Sequence, residues 1–591
     1  MLKGKDWPVG RFEMAKDSGH FLSPRNHSLS PPIVSFFGGA LVRHNLILKV
    51  SLHRPRSPPF FRLNDLSLRR PADEEAKKLQ PKTGSQRFDT QLAHCIDAKA
   101  FYSSSGVPRQ VSCDGCKPLK VLFVEPPKNF WFVMGEYLPP PLGILCLAAY
   151  LEAHHDDIEI QVVDCQAEGL DWSGLEQRIK SFKPDIVAPS SLSTGNAFLV
   201  ARTVELAKRV DPAITTLAGG LHYSVLAQES LDAYPELDAV VRGEGEETLL
   251  ELVRAVENDQ PLSRVKGLSF RRDGKVVHTP NRPVITDLDT LPFPGYHFVR
   301  QHMKNYHFTM MAGKDKPYAL IEASRGCDHT CAFCGQWRFW GPCRRKSPKR
   351  VADEFEHVYR EFGSRFLWLV DDNLGLGQYM NRLCDELAER GITDDILWFL
   401  QARVDDIIAS KDLLPKMRKA GVHWILAGVE SHDPATLERY RKGIEPSMAK
   451  QAMDLLKQNN ILAQTTAIIG ERHESHETLE AFRRWIEDVS PDIAIFMVLT
   501  PFPGTELYQL AEEKGWIEDR NWADYDMVHV IMPTEHLTRE QVQRELYLCY
   551  RSFYGSWSRR IQGLFSSNWV KRTYYRYMLR QGLMTMLRGL I

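Results

Sequence analysis

Tyr318-Ala319-Leu320-Ile321-Glu322 is a short apolar strand pattern that feeds the loop Arg325-Gly326-Cys327-Asp328-His329-Thr330-Cys331-Ala332-Phe333-Cys334. Three thiolates at C-x3-C-x2-C spacing can hold three irons of a cubane cluster, which leaves the fourth iron open. An open coordination position is what separates a reactive metal site from a closed structural one. A structural zinc knuckle wants four ligands. The next thiol, Cys343, lies beyond Trp337-Arg338-Phe339-Trp340 with no ligand-like spacing.

Downstream of that loop the strand pattern recurs at Phe366–Val370, Leu397–Leu400, Trp424–Ala427, Thr465–Ile469 and Ile493–Leu499, with helical periods between. Six βα units predict a partial (β/α)6 TIM-like barrel over 315–515, whose chemistry gathers at the carboxyl ends of its strands. Those ends carry Asp371-Asp372-Asn373, Gln401-Ala402-Arg403, Gly428-Val429-Glu430-Ser431 and Ile469-Gly470. Taken singly, each charged residue reads equally as a helix cap or a solvated loop.

Upstream, strands at Lys120–Val124, Ile158–Asp164, Asp185–Ala188, Thr215–Ala218 and Ala239–Val241 alternate with helical periods such as Phe198–Val210 and Thr248–Val256. This is the pattern of an α/β, flavodoxin-like, doubly wound parallel sheet over 119–260, with its ligand expected at the carboxyl edge. Ser190, Ser191, Ser193, Thr194 and Gly195 follow the third strand, and Gly219-Gly220 the fourth. Small residues there let a large ligand approach the backbone, although they also make tight turns. Segment 261–314 reads as a hairpin and linker, with an Asp273-Gly274 turn.

The 591-residue chain is too long for one core. Its 75 basic and 75 acidic residues leave no global field to recruit nucleic acid. Eleven unevenly spaced cysteines do not suit a secreted disulfide framework, so a reducing cytoplasm is expected. Residues 1–118 are rich in Pro, Ser and Arg without sustained periodicity, and are expected to be disordered. The apolar patch from Ile33 to Val50 is interrupted by Arg43, His44 and Asn45 and makes a poor membrane span. Segment 516–591 reads as helical. Its interleaved Phe553, Tyr554, Trp557, Trp569, Tyr574, Tyr575 and basic residues suit either a peripheral membrane contact or a helix packed on the barrel.

The cysteine loop with the aromatic Phe333 resembles the signature of the radical S-adenosylmethionine (SAM) enzymes. The first module resembles the cobalamin-binding domain that precedes many of them. Arg325-Gly326-Cys327, Gln336–Trp340, Val370–Asn373 and Thr500-Pro501-Phe502-Pro503-Gly504-Thr505 are similar to the anaerobic magnesium-protoporphyrin IX monomethyl ester oxidative cyclase group, over about Lys120 to Tyr554. Asp328 and Gly335 stand where that group has proline and serine.

The resemblance implies a 4Fe-4S cluster on Cys327, Cys331 and Cys334, with SAM cleaved by one electron to a radical that abstracts hydrogen from an unactivated carbon. It places Glu430 as acceptor of ribose hydroxyls and Gly470 where adenine meets the backbone. It places Ser191, Ser193, Gly219 and Gly220 around cobalamin. No D-x-H-x-x-G run follows the first strand, so no histidine ligand to cobalt is implied. Three outcomes stay open: oxidative cyclisation or a related modification of a hydrophobic substrate such as a porphyrin ester; cobalamin-dependent C-methylation or carbon-carbon bond formation on a lipid; and a redox or light sensor without turnover. The enzyme readings also imply a one-electron reductant such as flavodoxin or ferredoxin.

Overall fold

A computed structural model describes residues 118–128, 137–190, 193–313 and 316–590, with side chains described as far as Leu583. The expected disordered segment 1–118 thus falls outside the described residues except for Pro118, as does Ser191.

The first sheet has seven strands: β1 (Leu119–Glu125), β2 (Ile158–Asp164), β3 (Ile186–Pro189), β4 (Thr215–Ala218), β5 (Ala239–Val241), β6 (Leu268–Arg272) and β7 (Lys275–His278). Their spatial order is β2-β1-β3-β4-β5-β6-β7. The first five are parallel and reproduce the flavodoxin-like order, in which the chain reverses direction across the sheet beside β1 and opens a crevice at the carboxyl edge. The Asp273-Gly274 hairpin does more than connect the two modules. β6 pairs antiparallel with β5, so the hairpin extends the sheet.

Helices α1 (Leu142–His154), α2 (Trp172–Phe182), α3 (Ala197–Val210) and α4 (Glu246–Glu257) cover this sheet. Val121, Leu122, Phe123 and Val124 of β1 are buried on both faces, as a central parallel strand requires.

The second sheet contains β8 (Tyr318–Ile321), β9 (Phe366–Leu369), β10 (Leu397–Arg403), β11 (Val422–Glu430), β12 (Leu462–Ile469) and β13 (Ile493–Val498), all parallel and in sequential order. Its helices include α5 (Pro348–Phe362), α6 (Gly377–Glu389), α7 (Pro446–Gln458) and α8 (His476–Val489). Local signals set their ends. Ser347 caps α5 with Pro348 at the first turn, and Gly363 closes it at φ +68°.

The amino-terminal end of this barrel is plugged with aromatic rings. Phe308 packs against Tyr318, Phe366, Phe399 and Trp424, the last two stacked at 3.8 Å. Closing that end with rings leaves the carboxyl end as the mouth.

α9 (Arg539–Gly555) and α10 (Trp569–Leu590) complete the barrel wall. Phe553, Tyr554, Tyr574 and Tyr575 point into the protein and are buried, so these rings pack on the barrel and are not held at a membrane. Among the described residues no helix is long and apolar enough to cross a membrane.

Candidate functional site

The cysteine loop leaves β8 through Ser324 and Arg325, which pair antiparallel with Arg345 and Arg344 and clamp both ends of the loop. Between those ends Gly326 adopts φ +88°. A Cβ there would lie 2.4 Å from the Pro342 carbonyl oxygen and 2.5 Å from that of Gly341, so only glycine lets the two strands of the loop cross. Cys327 N–H donates to Gly341 (3.2 Å) and Cys334 N–H to the Cys331 carbonyl (3.1 Å).

Outside contacts fix the loop's position. Ala332 N–H donates to the Tyr440 carbonyl, the Phe333 ring meets Tyr440 edge-on at 5.1 Å, and Trp337 Nε1 donates to the Cys331 carbonyl at 3.2 Å. Asp371, at the end of β9, accepts from Ala323 N–H (3.1 Å) and Ser324 Oγ (2.6 Å). It is buried, and burial pushes its carboxyl up to about 7.

Cys331 is buried and Cys327 and Cys334 are half-buried. Burial pushes the Cys334 thiol up to about 11; Asp372, Cys331 and Cys327 add to the shift because they lie close by. Cys327 is raised by burial too, against a backbone hydrogen bond, with Cys331 among the further causes. Thiols close enough to help raise the pKa of Cys327 and Cys334 are poor neighbours as anions unless positive charge sits among them, which is what iron supplies. Among the described residues no three His, Cys, Asp or Glu side chains are grouped around a single metal ion. A cubane offers each thiolate its own corner iron, so three thiols at C-x3-C-x2-C spacing suit a cluster. Cys343 joins the loop differently: its N–H donates to Asp328, and its sulfur faces the Asn373 carbonyl at 3.9 Å.

Glu430 is the last residue of β11, buried, at φ +57°. Its carboxylate accepts from Lys442 Nζ at 2.7 Å. A one-residue irregularity in the pairing with β12 at Gly428–Glu430 turns this side chain to the carboxyl edge. Gly470 ends β12 at φ +85°, and its N–H donates to Glu474 at 2.6 Å. Burial pushes Glu474 up to about 8. Tyr440 ties the set together: its ring touches Phe333, while Glu474, Glu471 and Glu430 join burial in raising its phenol. The structure therefore brings the cysteines, Glu430 and Gly470 to one edge. Arg403 lies there as well, donating to the Lys442 carbonyl (2.6 Å) and paired with Asp405. Asp372 sits at the exposed rim.

On the first module, Ser193 is exposed and precedes the short turn Thr194–Asn196. Gly219 is extended, and Gly220 at φ +84° opens the helix Gly220–Val225. That helix meets the barrel. A Cβ on Gly335, next to Cys334, would lie 3.5 Å from the Leu221 side chain, and one on Gly504 would lie 2.9 Å from Val225. His222 is buried between the Tyr223 and Trp522 rings, each 5.3 Å away, and burial depresses its pKa to about 4.

A buried charge cluster, missed in the sequence, joins the two carboxyl edges. Arg325 pairs with Glu322 of its own loop and reaches Glu246 at 2.6 Å and Glu244 at 3.6 Å; Arg344 reaches Glu244 at 2.7 Å. Glu244 and Glu246 follow β5 in Gly243-Glu244-Gly245-Glu246, where the only sequence signal was two glycines marking a turn. The arginine that precedes the first cysteine pair is thus anchored on the first module.

Two family models match the chain: a B12 binding domain over residues 134–253 and the radical SAM superfamily over 321–486. The anaerobic magnesium-protoporphyrin IX monomethyl ester cyclase of Rubrivivax gelatinosus is 32% identical over 74% of this chain and 77% of its own length; that of Cereibacter sphaeroides is 31% identical over 74% and 70%. An uncharacterized methyltransferase of Pyrococcus horikoshii is 32% identical over 74% of this chain and 93% of its own. Among solved structures, OxsB with aqua-cobalamin and SAM bound aligns with a TM-score of 0.60 at 17% identity over 80% of this chain and 72% of that one. TsrM from Kitasatospora setae, with cobalamin and a [4Fe-4S] cluster, aligns at 0.60 and 15% over 80% and 100%.

Proposed function

This chain belongs to the family of B12-binding radical SAM enzymes, and from that premise we propose that it modifies an unactivated carbon of a hydrophobic small molecule, by oxidative cyclisation of a porphyrin ester or a closely related reaction. The single observation that carries this reading is the meeting of two carboxyl edges: the cysteine loop of the barrel is braced by Arg325 against Glu244 and Glu246 of the first module. A substrate between those edges would lie within reach of both cofactors.

The cluster, SAM and cobalamin together supply one-electron cleavage chemistry and a corrinoid that accepts or delivers a carbon fragment or an electron. The protein's own residues do the positioning. Cys327, Cys331 and Cys334 would hold the cluster as thiolates. Gly326, Asp371 and Arg325 fix the loop that carries them, so the loop need not reorganise when ligands arrive. Glu430, held in place by Lys442, would accept the ribose hydroxyls, and Gly470 would give adenine a flat backbone approach. Ser193, Gly219 and Gly220 would form the corrinoid side of the cleft, and Leu221, next after Gly220, lies beside Gly335 of the cysteine loop. Phe333, Trp337 and Tyr440 exclude water from the thiols. An exposed rim at Asp372 suits brief contact with a one-electron donor of flavodoxin or ferredoxin type, and such chemistry suits a reducing cytoplasm.

A second reading, C-methylation, is favoured by one observation: methyltransferases stand among the relatives beside the cyclases. Products separate the two. Anaerobic turnover with a porphyrin ester should form 5'-deoxyadenosine and an oxidised product that carries no added methyl group; accumulation of S-adenosylhomocysteine with a product heavier by a methyl group would overturn cyclisation in favour of methylation.

A further inference from the structure

From Leu546 to Ile591 the chain carries eight Lys and Arg and no Asp or Glu, although the whole molecule is neutral. The same region holds Leu548, Trp557, Ile561, Phe565 and Leu583, five of the nine large hydrophobic residues exposed among the described residues. Trp557 and Ile561 stand four residues apart on one face of the helix Trp557–Ile561, and Phe565 follows in the turn after it. They are 42%, 47% and 97% exposed, which places Phe565 at the tip.

This tip is braced and does not dangle. Asn568 donates to the His423 and Asn460 carbonyls at 2.7 and 2.8 Å, and Arg572 donates to the Ser566 carbonyl at 2.6 Å beside Phe565. Gly563 lies against the Tyr575 ring with no room for a side chain. A braced turn that holds three large apolar side chains in water is unfavourable by itself and marks a surface that something covers.

We propose that the hairpin Trp557–Phe565 is a dock for an anionic lipid surface. Its rings and Ile561 enter the headgroup boundary, while the exposed Arg551, Arg576 and Arg580 and the half-buried Arg572 meet lipid phosphate and carboxylate. Charge decides the occupant. A second copy of the same acid-free segment would be repelled, and a nucleic acid would leave Ile561 and the Phe565 tip without hydrocarbon to enter. His423, Asn460 and Pro491, which the hairpin region contacts, all lie at the amino-terminal ends of β11, β12 and β13, opposite the cysteine loop. Docking therefore tethers the protein with its reactive mouth turned away from the bilayer. It is a tether and not a route by which substrate enters.

Flotation of the full chain with vesicles tests this. Wild type should float with phosphatidylcholine vesicles containing phosphatidylserine, less so in high salt, and not with phosphatidylcholine alone. The double variant Trp557→Ser, Phe565→Ser should bind the anionic vesicles about tenfold more weakly, with cluster absorbance and SAM cleavage unchanged. Wild type that does not float, a double variant that floats equally, or a wild-type dimer or DNA complex that the double variant abolishes while vesicle binding persists would each overturn the proposal.

Discussion

Replacing Gly326 with alanine would drive a methyl group into the Pro342 carbonyl at 2.4 Å and force alanine to φ +88°, a strain of about 1–3 kcal/mol at the point where the cysteine loop crosses itself. We expect Gly326→Ala to retain the global fold but to bind iron poorly after anaerobic reconstitution, although every thiol is present. Full iron content in that variant would contradict the loop geometry. Cys327→Ala, Cys331→Ala and Cys334→Ala should each abolish 5'-deoxyadenosine formation, whereas Cys343→Ala should not. Glu430→Gln should weaken SAM binding by about 1.5–3 kcal/mol, the range for a hydrogen bond to a charged group; titration of the reconstituted protein with unchanged affinity would remove Glu430 from the site. The three cysteines were legible because ligand spacing is local. Lys442 was not, because its meeting with Glu430 depends on how the chain returns after β11.

Between elements, the clamp from Arg325 to Glu246 is the most consequential contact. Arg325→Ala would leave Glu322, Glu244 and Glu246 buried with Arg344 and Lys346 as the remaining nearby cations, a loss of about 3–5 kcal/mol for breaking a buried pair. Thermal unfolding should fall by several degrees, and an unchanged midpoint would show that the modules are not braced there. The β12 end gives a pH signature. Glu474 is raised from the usual carboxylate range to about 8, so the folded state holds a proton there that the unfolded chain releases above about 4.5. Its contribution is full below the unfolded value and is lost as pH rises towards 8. Glu474→Gln keeps an acceptor for Gly470 N–H, and its unfolding midpoint should decline less than that of wild type between pH 5 and 8; parallel declines would contradict the buried proton. Strand existence was legible from Val- and Ile-rich runs, and strand ends less so. β11 continues through Gly428 to Glu430 because β12 supplies a parallel partner that no local pattern announces.

Across the whole molecule, the order of two βα series foretold a doubly wound sheet and a six-stranded barrel, since parallel strands joined by helices admit few other arrangements. The sequence could not show that the Asp273-Gly274 hairpin extends the first sheet, that the Leu221 helix rests beside Gly335, or that Tyr574 and Tyr575 turn inward, because each depends on surfaces far apart in the chain. The central claim is that the three thiols beneath the first module's carboxyl edge hold a reactive cluster. Its most direct measurement is mass spectrometry of 5'-deoxyadenosine after anaerobic reconstitution with iron, sulfide, SAM and a one-electron reductant. Wild type should form it and Cys331→Ala should not; no deoxyadenosine from fully reconstituted wild type, or equal amounts from both proteins, would contradict the account.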